Sequence, residues 1–254
     1  TFTCAEPFNI AGVGASDGGA IAIIASAAPT LSGTITLSSD ATVTVSSSAS
    51  GTFTGSPAFS GTTQTLTLAG GNNPTGTKLI TGGITLGTGG VTKTQGGTWN
   101  LSGANTYTGP TLISAGRLNV NSPGSLAAGS TVTVSSGAVL GGTGEIGGPT
   151  TIQSGGTLSP GTSIGTLTFS SSLTLSGNTS NEINKAAGPL LTSDKIVMTS
   201  GTVTLGGTLV VTATGLPLAL GDTFDLIDGN ISGTFDAFNL PTLSAGLAWD
   251  TSKL

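Results

Sequence analysis

The sequence has no histidine, one cysteine, one methionine, one tyrosine and two tryptophans, and only 7% of its 254 residues are charged. Each shortage removes a class of chemistry. Without histidine there is no Ser-His-Asp or Cys-His triad and no imidazole metal ligand. The single cysteine, Cys4, forms no intramolecular disulfide, and the scarcity of thiols fits an exported protein. Cys4 is then a quiet small apolar residue, an intermolecular disulfide partner, or a lipidated residue of a shorter mature form. Six basic residues against eleven acidic ones, a net charge of −5, leave no electrostatic footprint for nucleic acid or anionic lipid. The longest apolar run, Ala20 to Ala25, is too short to span a bilayer and has no basic flank. We therefore expect no membrane span, no nucleic-acid partner and a chain whose export signal has already gone.

What is abundant is glycine, 43 of 254 residues against an ordinary share of about 7%, together with Thr, Ser, Val, Ile and Leu. Low charge is compensated by hydroxyls, which keep a strand's outer side wet while branched apolar residues face in. Runs such as Leu31 to Leu37, Thr42 to Val45, Thr65 to Leu68 and Ile84 to Leu86 alternate with period two. The stretch from Trp99 to Val120 is the clearest unit. It holds three short runs, Trp99 to Leu101, Thr111 to Ile113 and Arg117 to Val120, separated by turns at Ser102 to Gly103, Gly109 to Pro110 and Ala115 to Gly116. Runs this short with turns this frequent are one lap of a coil that buries its apolar side only against laps above and below. A turn glycine followed by an inward apolar recurs as Gly116 with Leu118, Gly137 with Val139 and Gly156 with Leu158. That spacing predicts about 20 residues per coil, roughly twelve coils, and a body on the order of 60 Å long at the usual strand separation.

The fold expected is therefore all-β, a single β-solenoid. Residues 1–30, with Cys4, Glu6, Pro7 and a Gly/Ala-rich path, read as an N-terminal cap or adaptor, residues 31–205 as the solenoid, and residues 206–254 as a C-terminal closing unit, with hairpins laid against the last coil.

The stretch Leu101-Ser-Gly-Ala-Asn-Thr-Tyr-Thr-Gly109, followed by Thr111, Ala115, Gly116 and Leu118, resembles the autotransporter-associated β-strand repeat, also called the passenger-associated transport repeat. The likeness extends over nearly all of the chain after about residue 10, through Leu140 to Gly148, Ser154 to Gly161, Ser193 to Val197, Leu205 to Leu209 and Asp225 to Phe235. The final Leu247-Ala-Trp-Asp-Thr-Ser252 resembles the ending of surface proteins with a PEP-CTERM sorting tail. The resemblance implies a right-handed parallel β-helix displayed at the cell surface or secreted, with Trp99, Leu101, Gly103, Asn105, Tyr107, Gly109, Gly116 and Leu118 as framework residues. Neither the amphipathic strands of a membrane barrel nor a sorting tail is present in the sequence. These parts are expected to have been cleaved, or secretion uses another route.

Candidate chemistry is sparse. Only Asp222, Asp225 and Asp228 cluster among the acids; they read as turn and solvated residues, with a calcium site or a glycosidase pair as the rival readings. Trp99 and Tyr107 read as framework, with a sugar-stacking platform as the alternative. Asn100, Asn105, Asn119 and Asn121 read as turn fillers or an internal amide ladder. No cofactor and no catalytic residue is expected. The open ends of a solenoid invite strand addition, so the expected function is a self-assembling extracellular filament subunit, built by head-to-tail stacking, with Cys4 as a candidate intermolecular contact. The alternative is a monomeric surface adhesin binding glycans or matrix, and the weakest reading is a polysaccharide-cleaving enzyme.

Overall fold

The computed structural model describes residues 3–14, 19–24, 28–46, 49–71, 78–187 and 190–252. The chain winds into stacked coils whose strands form three sheets of twelve, thirteen and six members. The first sheet has a path of eleven strands, from Thr3–Cys4 through Thr98–Leu101 and Gly116–Val120 to Ala237–Asn239. The second runs up the adjoining face through Ile35–Val45, Val91–Lys93, Thr111–Ile113 and Val132–Val134 to Ile231–Gly233. The third begins only at Ala104–Asn105 and continues through Ser125–Leu126, Glu145–Ile146, Thr166–Phe169 and Lys195–Met198 to Ile227–Asp228. Among the described residues the strands of successive coils pair in parallel, as a coil that returns to the same face one level higher requires, with one isolated antiparallel bridge between Gly142 and Gly161. The parallel β-solenoid is thus established.

Alternation decides which side chains fill the inside. In the first sheet Trp99, Leu118, Leu140 and Leu158 stand in register, all completely buried. Asn105, Leu126, Ile146, Phe169 and Met198 form the matching column of the third sheet. Each buried Leu, Ile, Val or Phe contributes about 1.5–3 kcal/mol, and a coil completes that burial only when its neighbours are in place.

The stack departs from the expected spacing in three ways. The first sheet has eleven strands on its path, so its ten steps at about 4.8 Å make a body close to 48 Å long, shorter than the 60 Å expected. Val139 is not inward: it sits half-exposed, while Ala138 and Leu140 on either side are buried. The inward residue after the Gly137 turn is one position later than the spacing suggested, because Gly116 pairs with Ala138 rather than with Gly137. Coil length also varies. Leu140 pairs with Leu158, but Thr179 pairs with Leu209, a much longer lap.

The longer lap has a structural cause. Asn178–Lys185 runs eight residues, past the coil corner, and its end pairs antiparallel with Leu191–Ser193. Thr208–Gly215 follows it in parallel along its whole length. Together these strands make a flange standing off the side of the solenoid. Hairpins expected within 206–254 are not seen among the described residues there; Thr208–Gly215, Ile231–Gly233 and Ala237–Asn239 continue the parallel columns. At the other end, Thr3–Cys4, Phe8–Gly12 and Ile21–Ile23 pair in parallel with Thr30–Leu31 and Ile35–Val45. No helix among the described residues is long and apolar enough to cross a membrane.

Candidate functional site

The central rung keeps both its aromatic side chains inside. Trp99, Leu101, Tyr107 and Leu118 have no exposed surface. Trp99 stacks on Phe53, ring centroids 5.9 Å apart, and its Nε1–H donates to the Ala69 carbonyl at 3.1 Å. The Tyr107 hydroxyl shares a 2.7 Å hydrogen bond with Thr111, whose own hydroxyl meets Ser130 at 2.8 Å. Burial pushes the phenol up to about 12, against the opposing pull of those two hydroxyl bonds. Neither ring offers a face to a sugar. Gly103 and Gly109 lie where successive coils approach so closely that a Cβ would strike the backbone of Gly82 and Gly89. Gly116, at φ +69°, turns the corner where the carbonyls of Gln95 and Gly97 leave no room for a side chain. Asn105 fills its turn from inside: its amide donates to the carbonyls of Gly103 and Ser125, and its oxygen accepts from the Ile84 amide. On the outer face, Asn119 and Asn121 both donate to the Asn100 side chain, at 2.9 and 3.2 Å, forming a short amide ladder.

Two lysines occupy places that composition did not single out. Lys93 stands in the inward column between Leu68 and Ile113, fully buried, and its ammonium donates to the carbonyls of Thr94, Gln95 and Ala115. Lys78 is also fully buried. Desolvation, aided by the charge of Lys78, lowers Lys93 to about 8. The signal was present in the alternation, because Lys93 lies two residues after the inward Val91.

The three clustered aspartates are engaged with lysines. Asp222 pairs with Lys185 at 2.7 Å, and Lys195 reaches Asp225 at 2.6 Å and Asp228 at 3.4 Å. Both Asp225 and Asp228 are exposed; this fits the solvated reading of Asp225, whereas Asp228, expected in a turn, lies in the strand Ile227–Asp228. Among the described residues, no group of three His, Cys, Asp or Glu side chains is placed to hold a metal ion. Cys4 is half-buried with a free thiol.

A polar cleft lies elsewhere, where the base of the flange meets the coil carrying Ser159. It encloses about 180 Å³ between Arg117 and Asn119 on one side and Glu182 and Asp194 on the other. Arg117 leaves its own rung and crosses two levels. Its Nε donates to Asn119 Oδ1 at 2.6 Å, Nη1 to Ser159 Oγ at 3.3 Å, and Nη2 to the carbonyls of Ser159 and Gly161 at 3.2 and 3.3 Å. Opposite it, the Asp194 carboxylate accepts the backbone N–H groups of Gly165 and Glu182, each at 2.8 Å. Asp194 is buried, and desolvation carries its carboxyl up to about 6 against those two hydrogen bonds. Burial also weakens the hold of Arg117 on its proton, while the charges of Asp194 and Glu182 act the other way. These residues come from distant stretches of sequence, and no motif connects them.

Residues 91–120, which include Trp99, Tyr107 and Arg117, match the family model of the passenger-associated-transport-repeat. Over 114 residues, 42% of this chain, the sequence is 39% identical to the adhesin BmaC autotransporter of Brucella suis biovar 1 (strain 1330). The chain spans 3% of that protein's length.

Proposed function

This chain carries a passenger-associated transport repeat on a parallel β-solenoid, and on that premise we propose that it works outside the cell as a non-enzymatic, surface-displayed adhesive rod. The observation that carries this reading is its 39% identity, over 114 residues, to a protein described as an adhesin autotransporter. The residue chemistry supports it. Histidine is absent, and the clustered aspartates are tied to lysines in ion pairs. A stack of parallel coils holds its flank rigidly at a distance from whatever anchors it, which suits presentation of a binding face.

The reading is tested by coupling the purified chain to beads and measuring retention on epithelial cells, extracellular matrix and bacterial lawns. Retention on one of them well above beads carrying an unrelated β-solenoid supports an adhesin. Retention on none overturns it, and activity on a polysaccharide panel would return the protein to the enzymes.

Head-to-tail stacking is a separate reading with one observation in its favour. Ile231–Gly233 and Ala237–Asn239 each end the path of their sheet, so the far edge of the last rung has no strand partner among the described residues. The comparisons lend it no support. Light scattering and negative-stain microscopy separate the two readings: fibres favour stacking, whereas isolated rods close to 50 Å long favour a monomeric adhesin.

A further inference from the structure

In a regular solenoid the binding function is carried by departures from regularity, because insertions into single repeats project from one face. One such departure here is the flange built from Asn178–Lys185, Leu191–Ser193 and Thr208–Gly215, which carries the antiparallel strand pair of the described residues. The Arg117 cleft lies at its base. We infer that this cleft binds one uncharged, polyhydroxylated ring, a neutral sugar residue. The inference rests on the adhesive reading for what the ring belongs to, a glycan on another surface.

Size sets the first limit. About 180 Å³ is below the roughly 300 Å³ at which drug-sized pockets begin, which leaves room for a single ring. Charge sets the second. Arg117 forms no direct ion pair with Asp194 or Glu182 within the described residues, yet both carboxylates act on its charge across the cleft. An anionic ligand would meet Glu182 and Asp194. A divalent cation would need six or more oxygens, and two carbonyls beside the cleft, those of Ser159 and Gly161, are already taken by the guanidinium. A neutral polyol meets neither objection.

Hydrogen-bonding capacity then matches. Four of the five guanidinium N–H groups are used within the chain, leaving one on Nη1 to donate. Each Asp194 oxygen accepts one backbone N–H and retains a lone pair, and the exposed Glu182 carboxylate accepts freely. Sugar hydroxyls, which donate and accept at once, satisfy both sides, and the bonds to charged groups are the stronger kind. The cleft is also pre-formed. Asp194 is fixed by two backbone amides and Arg117 by four bonds, so little ordering opposes binding.

The test uses the full chain and calorimetric titration with the methyl glycosides of glucose, galactose and mannose, alongside glucuronic acid and calcium ion alone. Three variants accompany it. Glu182→Gln and Ser163→Trp alter exposed positions, the second filling the cleft without removing a bond, and Arg117→Lys removes the planar fork. We expect saturable binding of at least one neutral glycoside, weakened about tenfold or more in each variant, at an unchanged melting temperature for Glu182→Gln and Ser163→Trp. Neutral-glycoside binding that survives all three changes, binding confined to glucuronic acid or calcium, or no binding at all overturns the assignment. Its failure is distinguishable from that of the adhesive reading: beads that adhere through Ser163→Trp as well as wild type sink the cleft alone, and glycoside binding without any adhesion sinks the adhesin alone.

Discussion

Arg117 and Ser159 are held together across two coils, with Nη1 bonded to the Ser159 hydroxyl at 3.3 Å and Nη2 to its carbonyl at 3.2 Å. In the outer column that ends at Ser159, Gly141 stands between Asn119 below and Ser159 above, while Arg117 itself pairs with Val139. The guanidinium lies over Gly141, where a side chain would stand.

Gly141→Ala is therefore predicted to break this clamp. The new methyl group would collide with the guanidinium and approach the Ser159 carbonyl to 2.6 Å, so backbone as well as side chain has to move. Overpacking of this kind costs about 1–3 kcal/mol. A urea melt should show the loss, and Arg117→Ala combined with Gly141→Ala should cost less than the two single changes summed, because the collision is shared.

Lys93 makes the fold more stable in mild alkali. Its folded pKa is lowered to about 8, whereas in the unfolded chain it titrates near 10.5. Below about 8 both states hold the proton and its contribution is constant. Between about 8 and 10 the unfolded state binds more protons, so stability rises with pH, on the order of 1 kcal/mol once screening by nearby solvent is allowed for. Above 10 Tyr107 opposes the trend, since its folded pKa is raised to about 12 and the unfolded phenol ionises first. Thermal melts from pH 7 to 10 should show the rise, and Lys93→Met should reduce it, the remainder coming from Lys78, whose pKa is also lowered by burial. A wild-type curve flat or falling over that window would contradict the assignment.

The coil architecture was legible because its signal is local: alternation in Trp99 to Leu101 or Val91 to Lys93 reports directly which residues face in. Register was less legible. Gly137 announces a turn, but whether the strand resumes with Ala138 or Val139 inward depends on its pairing with Gly116 in the coil below, which no local pattern encodes. The flange was illegible for a related reason, since Asn178–Lys185 keeps its alternation past the corner and nothing in it marks where the coil is left. The cleft is harder still. Arg117 belongs to a coil several levels below the one that carries both Glu182 and Asp194, and Asp194 looks like an ordinary turn aspartate until stacking buries it.

Asp194 gives the acid limb of the stability curve an unusual sign. Its carboxyl is raised from 3.8 to about 6 in the folded protein, so between those values the folded state binds more protons. Its stabilising contribution is complete below about 4 and is lost as pH rises through about 6. Asp194→Asn should remove that fall, with stability at pH 4 and pH 7 brought closer together in urea melts. Wild-type stability that increases steadily from pH 4 to 7, unchanged in the variant, would show that the carboxyl is not held up.

Trp99 anchors an aromatic cluster in the N-terminal half of the stack. It packs flat on Phe53, which itself meets Phe59 at 5.2 Å, so this cluster ties together three strands drawn from two coils. Trp99→Ala should cost about 3–5 kcal/mol. Trp99→Phe keeps the stacking and loses the 3.1 Å bond to the Ala69 carbonyl, leaving that acceptor buried; the expected cost is about 1–3 kcal/mol. The two tryptophans also give the experiment its own probe. Trp99 is fully buried and Trp249 only partly so, hence the blue-shifted part of the emission should vanish in Trp99→Phe while circular dichroism retains its β-sheet signature. If the emission maximum instead moves to the blue, the buried indole is Trp249, and the aromatic cluster does not hold the centre of the stack.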